Sequence, residues 1–434
     1  MLIKNFSELA LSFEREILLK TLNFGLESLN LDVEIENLKI KEGLISIGEK
    51  KFELKKFSKI ILIGFGKGSL YICLNIYKIL KKEKNFKGCF VIDFKYEDLK
   101  IESEDNFYFF EGDHPLVSRR NVVYTKKIIK FLKELKLQEN DLVLTVICGG
   151  GSSMFEIPAI SLSREKEINK KLLACGANIS EINTVRKHIS LVKGGSFLKF
   201  VYPAKLISLI VCDIPTDDYS IVASGPTFFD RTTKEDAIEI LKKYNIEFED
   251  KEILETLKDE KYFKNVFNFV IFDNLKVLKK MEEFAKGFKI ETKIISSRVN
   301  ESTENFAKKS IKDVLSFKKG IYLFGGETTV CIKKKGKGGR NQDLALRVLK
   351  IFKDENIKNI VFLAFNSDGW DNSEFGGAIS DKISLEKIKK LNLDIDYYLN
   401  ENLSFYFFKK TKDYIFTGRL PINVSDFILI FKTD

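Results

Sequence analysis

The stretch 143-VLTVICGGGSSMFEIP-158 decides how this chain is read. An apolar, largely β-branched run, as a buried strand requires, leads straight into Gly149, Gly150, Gly151, Ser152 and Ser153. Glycines at the end of a strand can gather backbone N–H groups into an anion nest, present a serine nucleophile, or only turn the chain. A G-x-S-x-G nucleophile elbow is absent, because Met154 follows Ser153 with no closing glycine. An oxyanion or phosphate cradle is therefore favoured over a serine hydrolase.

Outward from this loop, strand-like runs alternate with helical patterns, the sign of βαβ units and largely parallel sheets. In the first half the expected strands are 58-SKIILIG-64, 87-KGCFVID-93, 105-DNFYFFEG-112, 141–148 and 205-KLISLIVCD-213. The apolar spacing of 121-NVVYTKKIIKFLKELK-136 predicts a helix, and 232-TTKEDAIEILKKYN-245 begins another with a threonine cap. Further strands are expected at 265–272, 289–296, 319–326, 359–366 and 426–431. The fold class that follows is α/β, with two three-layer α/β/α domains. Their expected spans are residues 1–235 and 236–434, a boundary that no linker marks. Ligands of open parallel sheets bind outside the carboxyl ends of the strands, so the loops there are the ones to read.

Composition narrows the partners. The 434 residues are 44% hydrophobic and 31% charged, an ordinary globular balance. The net charge of +10 is carried mostly by scattered lysines, with about ten arginines. A single short basic run at 333–340, broken by glycines and without aromatics, excludes a nucleic-acid platform. The charge favours small anionic substrates by steering. No apolar run reaches the length of a membrane span, nothing at the N-terminus looks like a signal peptide, and no membrane partner is expected. The six cysteines, Cys73, Cys89, Cys148, Cys175, Cys212 and Cys331, form no CxxC pair and read as reduced core residues of a cytoplasmic protein.

The loops carry the chemistry. In 64-GFGKGS-69, Gly66 and Lys67 stand where a strand meets a helix; neither a complete dinucleotide fingerprint nor a Walker A loop is present. The segment 183-NTVRKHISLVKGGSF-197 holds Asn183, Arg186, His188 and Lys193. The second histidine, His114, lies in 112-GDHP-115, and for both a hydrogen-bonded structural role is the stronger reading. No HxxxH or HExxH spacing exists, which disfavours a zinc hydrolase. Asp213, Asp217 and Asp218 follow a strand, where carboxylates can hold Mg²⁺ or accept a proton from a hydroxyl. Arg340 opens a helix after glycines, and its planar fork suits a carboxylate or phosphate. Asp368 and Asp371 lie in 366-NSDGWDN-372.

Taken together, 148-CGGGSSMFEIP-158, 176-GANISEINTVRKHISLVKGGSF-197 and 213-DIPTDDYSIVASGPT-227 closely resemble the N-terminal domain of glycerate 2-kinases. The pair 325-GGETTV-330 and 338-GGRNQDLAL-346 resembles their C-terminal domain, called MOFRL. The resemblance runs from Lys67 to Asp426. It implies a two-domain α/β protein with its active site in the cleft between the domains. It implies ATP-dependent phosphorylation of D-glycerate at the 2-hydroxyl, giving 2-phosphoglycerate, with Mg²⁺ or another divalent cation. The alternative is an NAD(P)H-dependent hydroxypyruvate reductase. Lys67, Asp213, Asp217, Arg340 and Asp368 are the implied catalytic residues, Asp213 and Asp217 also as metal ligands. Gly66, Gly149, Gly150, Gly151, Ser152, Ser153, Asn183, Arg186 and Lys193 are the implied binding residues. A monomer or homodimer is expected. Two loops depart from the family pattern. Thr-Asp-Gly-x-Asp-Gly stands here as 367-SDGWDN-372, and Gly-Thr-Asn-Val-Asn-Asp as 421-PINVSD-426.

Overall fold

The computed structural model describes residues 1–29, 38–41, 43–96, 105–214, 216 and 218–434. The chain folds as two compact units. One comprises Leu31–Cys212 and Asp217–Ile271, the other Met1–Asn30, Asp213–Thr216 and Phe272–Asp434. The division thus lies further along than the boundary expected near residue 235. The reason is in the sheet. Leu206 N donates to Asn265 O at 2.9 Å, and the strand that begins at Val266 closes the edge of the first sheet rather than opening the second.

In the first unit, the strands Leu38–Lys41, Leu44–Ile47 and Lys50–Glu53 (β1–β3) form a small antiparallel sheet that the sequence pattern did not announce. The main sheet comprises Ile60–Phe65 (β4), Phe86–Asp93 (β5), Phe107–Glu111 (β6), Leu142–Ile147 (β7), Lys205–Val211 (β8) and Val266–Phe272 (β9). Its order is β6-β5-β4-β7-β8-β9. The ladders β4/β5, β4/β7, β5/β6 and β7/β8 are all parallel. Every residue of β4 and β7 is buried, which explains their unbroken apolar runs: a central parallel strand is covered on both faces. The helix Ser69–Leu80 links β4 to β5 and buries Leu70, Cys73, Ile76, Tyr77 and Leu80, a three-to-four spacing. The helix Arg119–Leu135 opens on Ser118, whose side chain accepts from Asn121 N.

The second unit departs from the expectation of a largely parallel sheet. Its strands are Thr292–Val299 (β10), Gly320–Gly326 (β11), Ile360–Asn366 (β12), Gly377–Ser380 (β13), Tyr414–Ile415 (β14) and Asp426–Lys432 (β15), in the order β10-β11-β15-β12-β13-β14. Only β10/β11 is parallel; β11/β15, β15/β12, β12/β13 and β13/β14 are antiparallel. The C-terminal strand inserts between β11 and β12 and runs against both. The neighbouring pair β12/β13 is joined by a short loop, which allows only an antiparallel return.

The helix Phe13–Glu27 belongs to this second unit. Arg15, fully buried, donates Nε and Nη2 to the two oxygens of Asp381, both at 2.6 Å, and Nη1 to Asp413 at 2.9 Å. Ser384 accepts a further bond from Nη2 at 3.0 Å. Burial disfavours the guanidinium charge, but the two aspartates outweigh it and hold Arg15 above its ordinary range. Four cysteines are buried as expected, whereas Cys175 and Cys331 are exposed; all six are free thiols. Among the described residues no helix is long and apolar enough to cross a membrane.

Arg15→Met leaves Asp381 buried without its cation and Asp413 with Lys387 alone. It is expected to destabilise the fold by roughly 3–5 kcal/mol, measured by urea or thermal unfolding. A variant as stable as the parent would show that the pair contributes nothing net.

Candidate active site

From β4 the chain proceeds outward to β5 and β6, then returns to lay β7 on the other side of β4. The gap between β4 and β7 is therefore a topological switch point, the place where an open sheet leaves a crevice. Two glycine loops meet there. Gly66 has φ +98, and a Cβ on it would strike the Cys148 carbonyl oxygen, so only glycine fits. Lys67 N donates to Gly149 O at 2.8 Å, tying the two loops together. Gly150, at φ +78, turns the chain into the single helical turn Gly151–Met154. Among the described residues, the N–H groups of Gly149, Gly150 and Ser152 have no acceptor. The nest read from the sequence is present, with donors to spare.

Three basic side chains surround it. A Cβ placed on Gly150 would lie 3.4 Å from Lys67 Cε, 3.0 Å from His114 Cδ2 and 3.4 Å from His114 Nε2. Arg186, on the helix Ile179–His188, donates Nε to Asn169 Oδ1 at 2.7 Å. Burial pushes the Arg186 guanidinium down from its ordinary range, and the nearby charge of Glu165 opposes this. Burial first, then the charges of Lys67 and Arg186, push His114 down to about 4, so its ring is neutral near pH 7. Among the described residues no carboxylate pairs with Lys67 or Arg186. Among the described residues, Lys67 has no carboxylate partner, Arg186 has only the charge of Glu165 nearby, and both lie with a neutral imidazole close to free N–H donors.

The supports of this pocket are buried and polar. Asp93, at the carboxyl end of β5, accepts from Leu70 N at 2.9 Å, Phe94 N at 2.6 Å and Tyr96 Oη at 3.1 Å. Tyr96 in turn accepts from Gly68 N at 2.8 Å. Gly68 has no side chain with which to cap the helix Ser69–Leu80, and Asp93 takes over that task from the next strand. Burial raises Asp93 to about 7 against these hydrogen bonds. Ser152 shares a hydrogen bond of 2.8 Å with Ser224, which donates to Asn183 Oδ1 at 3.0 Å. Ser153 Oγ donates to Gly150 O at 3.0 Å and so stabilises the loop itself. Lys193 has a carboxylate partner of its own. It is buried in an ion pair with Glu156, whose other oxygen accepts from Ser190 Oγ at 2.6 Å. Burial pushes the Lys193 ammonium below the ordinary lysine range.

The second unit holds the other expected residues, and most of its charges are internally satisfied. Arg340 opens the helix Arg340–Asp354 as the sequence implied, but its fork grips Asp426: Nε to Oδ2 at 2.5 Å, Nη2 to Oδ1 at 3.0 Å. Glu327 lies 2.6 Å from Nη2. Burial opposes the charge of Arg340, and Asp426 and Glu327 override it. Asp371 accepts from Gln342 N at 2.9 Å and Asn341 N at 3.2 Å, capping a helix whose own cap residue is Gly339. Burial, with the Asp426 charge, raises Asp371 to about 6. Asp368 accepts from Trp370 N and Asn423 Nδ2, both at 2.9 Å. The altered loops at 367–372 and 421–426 are thus bonded to each other. Asp213 follows β8, and its carbonyl accepts from Ser425 Oγ at 2.6 Å. Asp217 lies outside the described residues.

Among the described residues no group of three or more His, Cys, Asp or Glu could cage a metal ion.

Sequence reading missed Asp93, Tyr96 and Ser224, and it took His114 for a hydrogen-bonded structural residue. His188 does have that role, its Nδ1 2.8 Å from Thr184 O. His114 has no hydrogen bond among the described residues. The signal for Asp93 was its place at the end of an apolar strand facing a helix that starts with glycine.

Asp93 gives a pH prediction. Its folded value lies above the unfolded value of about 3.9, so the native state keeps the proton longer. The stability it supplies is present at low pH and lost as pH rises toward about 7. Asp93→Asn should therefore gain stability relative to the parent between pH 5 and pH 7. Urea midpoints at both values check this; a constant difference would reject it.

Residues 24–258 match the family model described as "Domain of unknown function (DUF4147)", and residues 320–426 match the MOFRL family. A D-glycerate 2-kinase of Thermotoga maritima is 34% identical over 383 residues, covering 86% of this chain and 90% of the relative. A glycerate 2-kinase of Picrophilus torridus is 32% identical, covering 99% of each. The crystal structure of a glycerate kinase from Thermotoga maritima matches with a TM-score of 0.81 at 28% identity, covering 96% of this chain and 99% of the other. By its two matched domains and its close relatives across nearly the whole length, the chain belongs to the glycerate 2-kinase family.

Proposed function

We propose that this protein phosphorylates D-glycerate at the 2-hydroxyl with ATP, giving 2-phosphoglycerate. One observation carries the reading beyond the relatives' names. At the switch point, among the described residues, two cations that form no carboxylate ion pair lie close to free backbone donors. Phosphoryl transfer asks for such positioning and charge neutralisation more than for covalent chemistry.

In this reading Lys67 neutralises the transferring phosphoryl oxygens or the glycerate carboxylate. The N–H groups of Gly149, Gly150 and Ser152 and the Arg186 fork hold an anionic group beside it. Asn183 acts through Ser224 on Ser152 and so positions the loop. Asp213 or Asp217 orients and deprotonates the acceptor hydroxyl. Asp213 would hold a divalent cation, which would supply charge neutralisation for the phosphate chain. Arg340 and Asp368 are assigned to the second unit's loops. The Arg340 bonds to Asp426 and Glu327 favour a positioning role over a direct grip on substrate. Lys193, paired with Glu156, is assigned to stability. Low molecular charge steering by the +10 chain and a cytoplasmic setting fit an anionic metabolite.

Phosphorus NMR of the product from D-glycerate and ATP tests the reading. A 2-phosphate signal is expected, and a 3-phosphate signal would overturn the assignment. Oxidation of NADH by hydroxypyruvate without ADP release from glycerate and ATP would favour the reductase instead. Lys67→Met should lower kcat/KM for D-glycerate by about 10²–10³-fold. Near-parental activity of that variant would remove Lys67 from the machinery.

A further inference from the structure

We propose that His114 is a ligand-contacting residue of the anion pocket, and that occupation of the pocket draws a proton onto its ring. The inference rests on the anion-site reading given above and assigns a role to a side chain that reading left out.

The geometry is that of two loops meeting at Gly150, with a third element near His114. His114 follows β6, Lys67 follows β4, and both flank the Gly150 α-carbon, their atoms 3.0–3.4 Å from where a Cβ would stand. Arg186 approaches from the helix Ile179–His188, near enough for its charge to act on the imidazole. The His114 ring is half-buried and edge-on to Phe94, at 85° and 6.2 Å between centroids. The neighbouring Asp113 does not serve as its counter-ion: both of its oxygens are held by Arg120, at 2.5 and 3.1 Å. Among the described residues, the charged groups bearing on His114 are thus Lys67 and Arg186, both positive, from two different elements.

An imidazole held neutral by burial and two cations responds to whatever neutralises them. A bound oxyanion cancels the repulsion and offers an acceptor, so the protonated ring becomes the favoured form and donates a charge-assisted hydrogen bond. Binding and proton uptake are then linked, and the pocket selects anions with an oxygen to spare for a third donor. A phosphoryl group and a carboxylate share this chemistry.

The chain has only 2 histidines, so ring signals of the labelled, intact protein can be followed individually, with His188 as an internal control. The probes are sulfate and D-glycerate at pH 6, neither of which titrates there. Saturation is expected to move the His114 signals from neutral toward protonated and to leave those of His188 in place. Calorimetry in buffers of different ionisation enthalpy should show uptake of a fraction of one proton. His114→Gln should abolish that uptake and weaken binding by about tenfold or more, the size of one hydrogen bond to a charged group. A response to sulfate alone assigns the pocket to phosphoryl oxygens, and one to D-glycerate alone to the acceptor carboxylate. If the anion binds while the His114 ring stays neutral, the inference is wrong and the anion site stands. If the wild type binds neither probe, both fall.

Discussion

Everything in the first unit depends on the close passage of two loops where β4 and β7 part. The backbone at Gly66 runs against the Cys148 carbonyl with no room for a methyl group, and one hydrogen bond from Lys67 N to Gly149 O holds the crossing. That constraint leaves glycines on both sides and therefore exposes backbone N–H groups. It also brings a lysine and a histidine within reach of one α-carbon. Unpaired cations are not favourable in a half-buried place, and a fold retains them only where the surroundings over-determine them. Here the surroundings are visible: Asp93 and Tyr96 hold one loop from beneath, and Ser224 and Asn183 hold the other from the side.

The second unit shows the opposite use of the same side chains. Arg340 and Arg15 both sit beside aspartates that consume their forks. Arg186 has one neutral partner, Asn169. Three arginines that look alike in a lysine-rich sequence thus divide by what their guanidinium groups already hold. Two are engaged by carboxylates, and one by a neutral amide. Asp371 repeats the theme among acids. It stands in a loop that reads as a turn or a ligand site, yet it caps the helix that Arg340 begins.

Much of this was legible in the sequence, and the rest was hidden for definite reasons. The central strands were clear because a strand covered on both faces is apolar along nearly its whole length, as β4, β7 and β12 are. The glycine loops were clear because their positive φ angles leave few alternatives. The direction of the second sheet was not legible, since β15 pairs with β11 and β12 on both sides and its own residues do not encode which way its neighbours run. The short β13 and β14 offered too few residues for a period to show. The pairing of Lys193 with Glu156 was not legible, because the two stand in different loops. His114 escaped because a histidine's role depends on what faces it, and Lys67 and Arg186 come from distant segments.

The helix Phe13–Glu27 has one further consequence, for the order in which the protein is made. Arg15 leaves the ribosome 366 residues ahead of Asp381 and 398 ahead of Asp413. The body that spans Leu31–Cys212 can complete its parallel sheet during synthesis, because its strands emerge in near succession. The other body cannot: β15, its last strand, is the one that joins β11 to β12. An amphipathic helix carrying an unsatisfied arginine must therefore wait through nearly the whole of translation. A chain cut short near its end lacks not a frayed tail but the middle of a sheet, and its first helix is left without a dock.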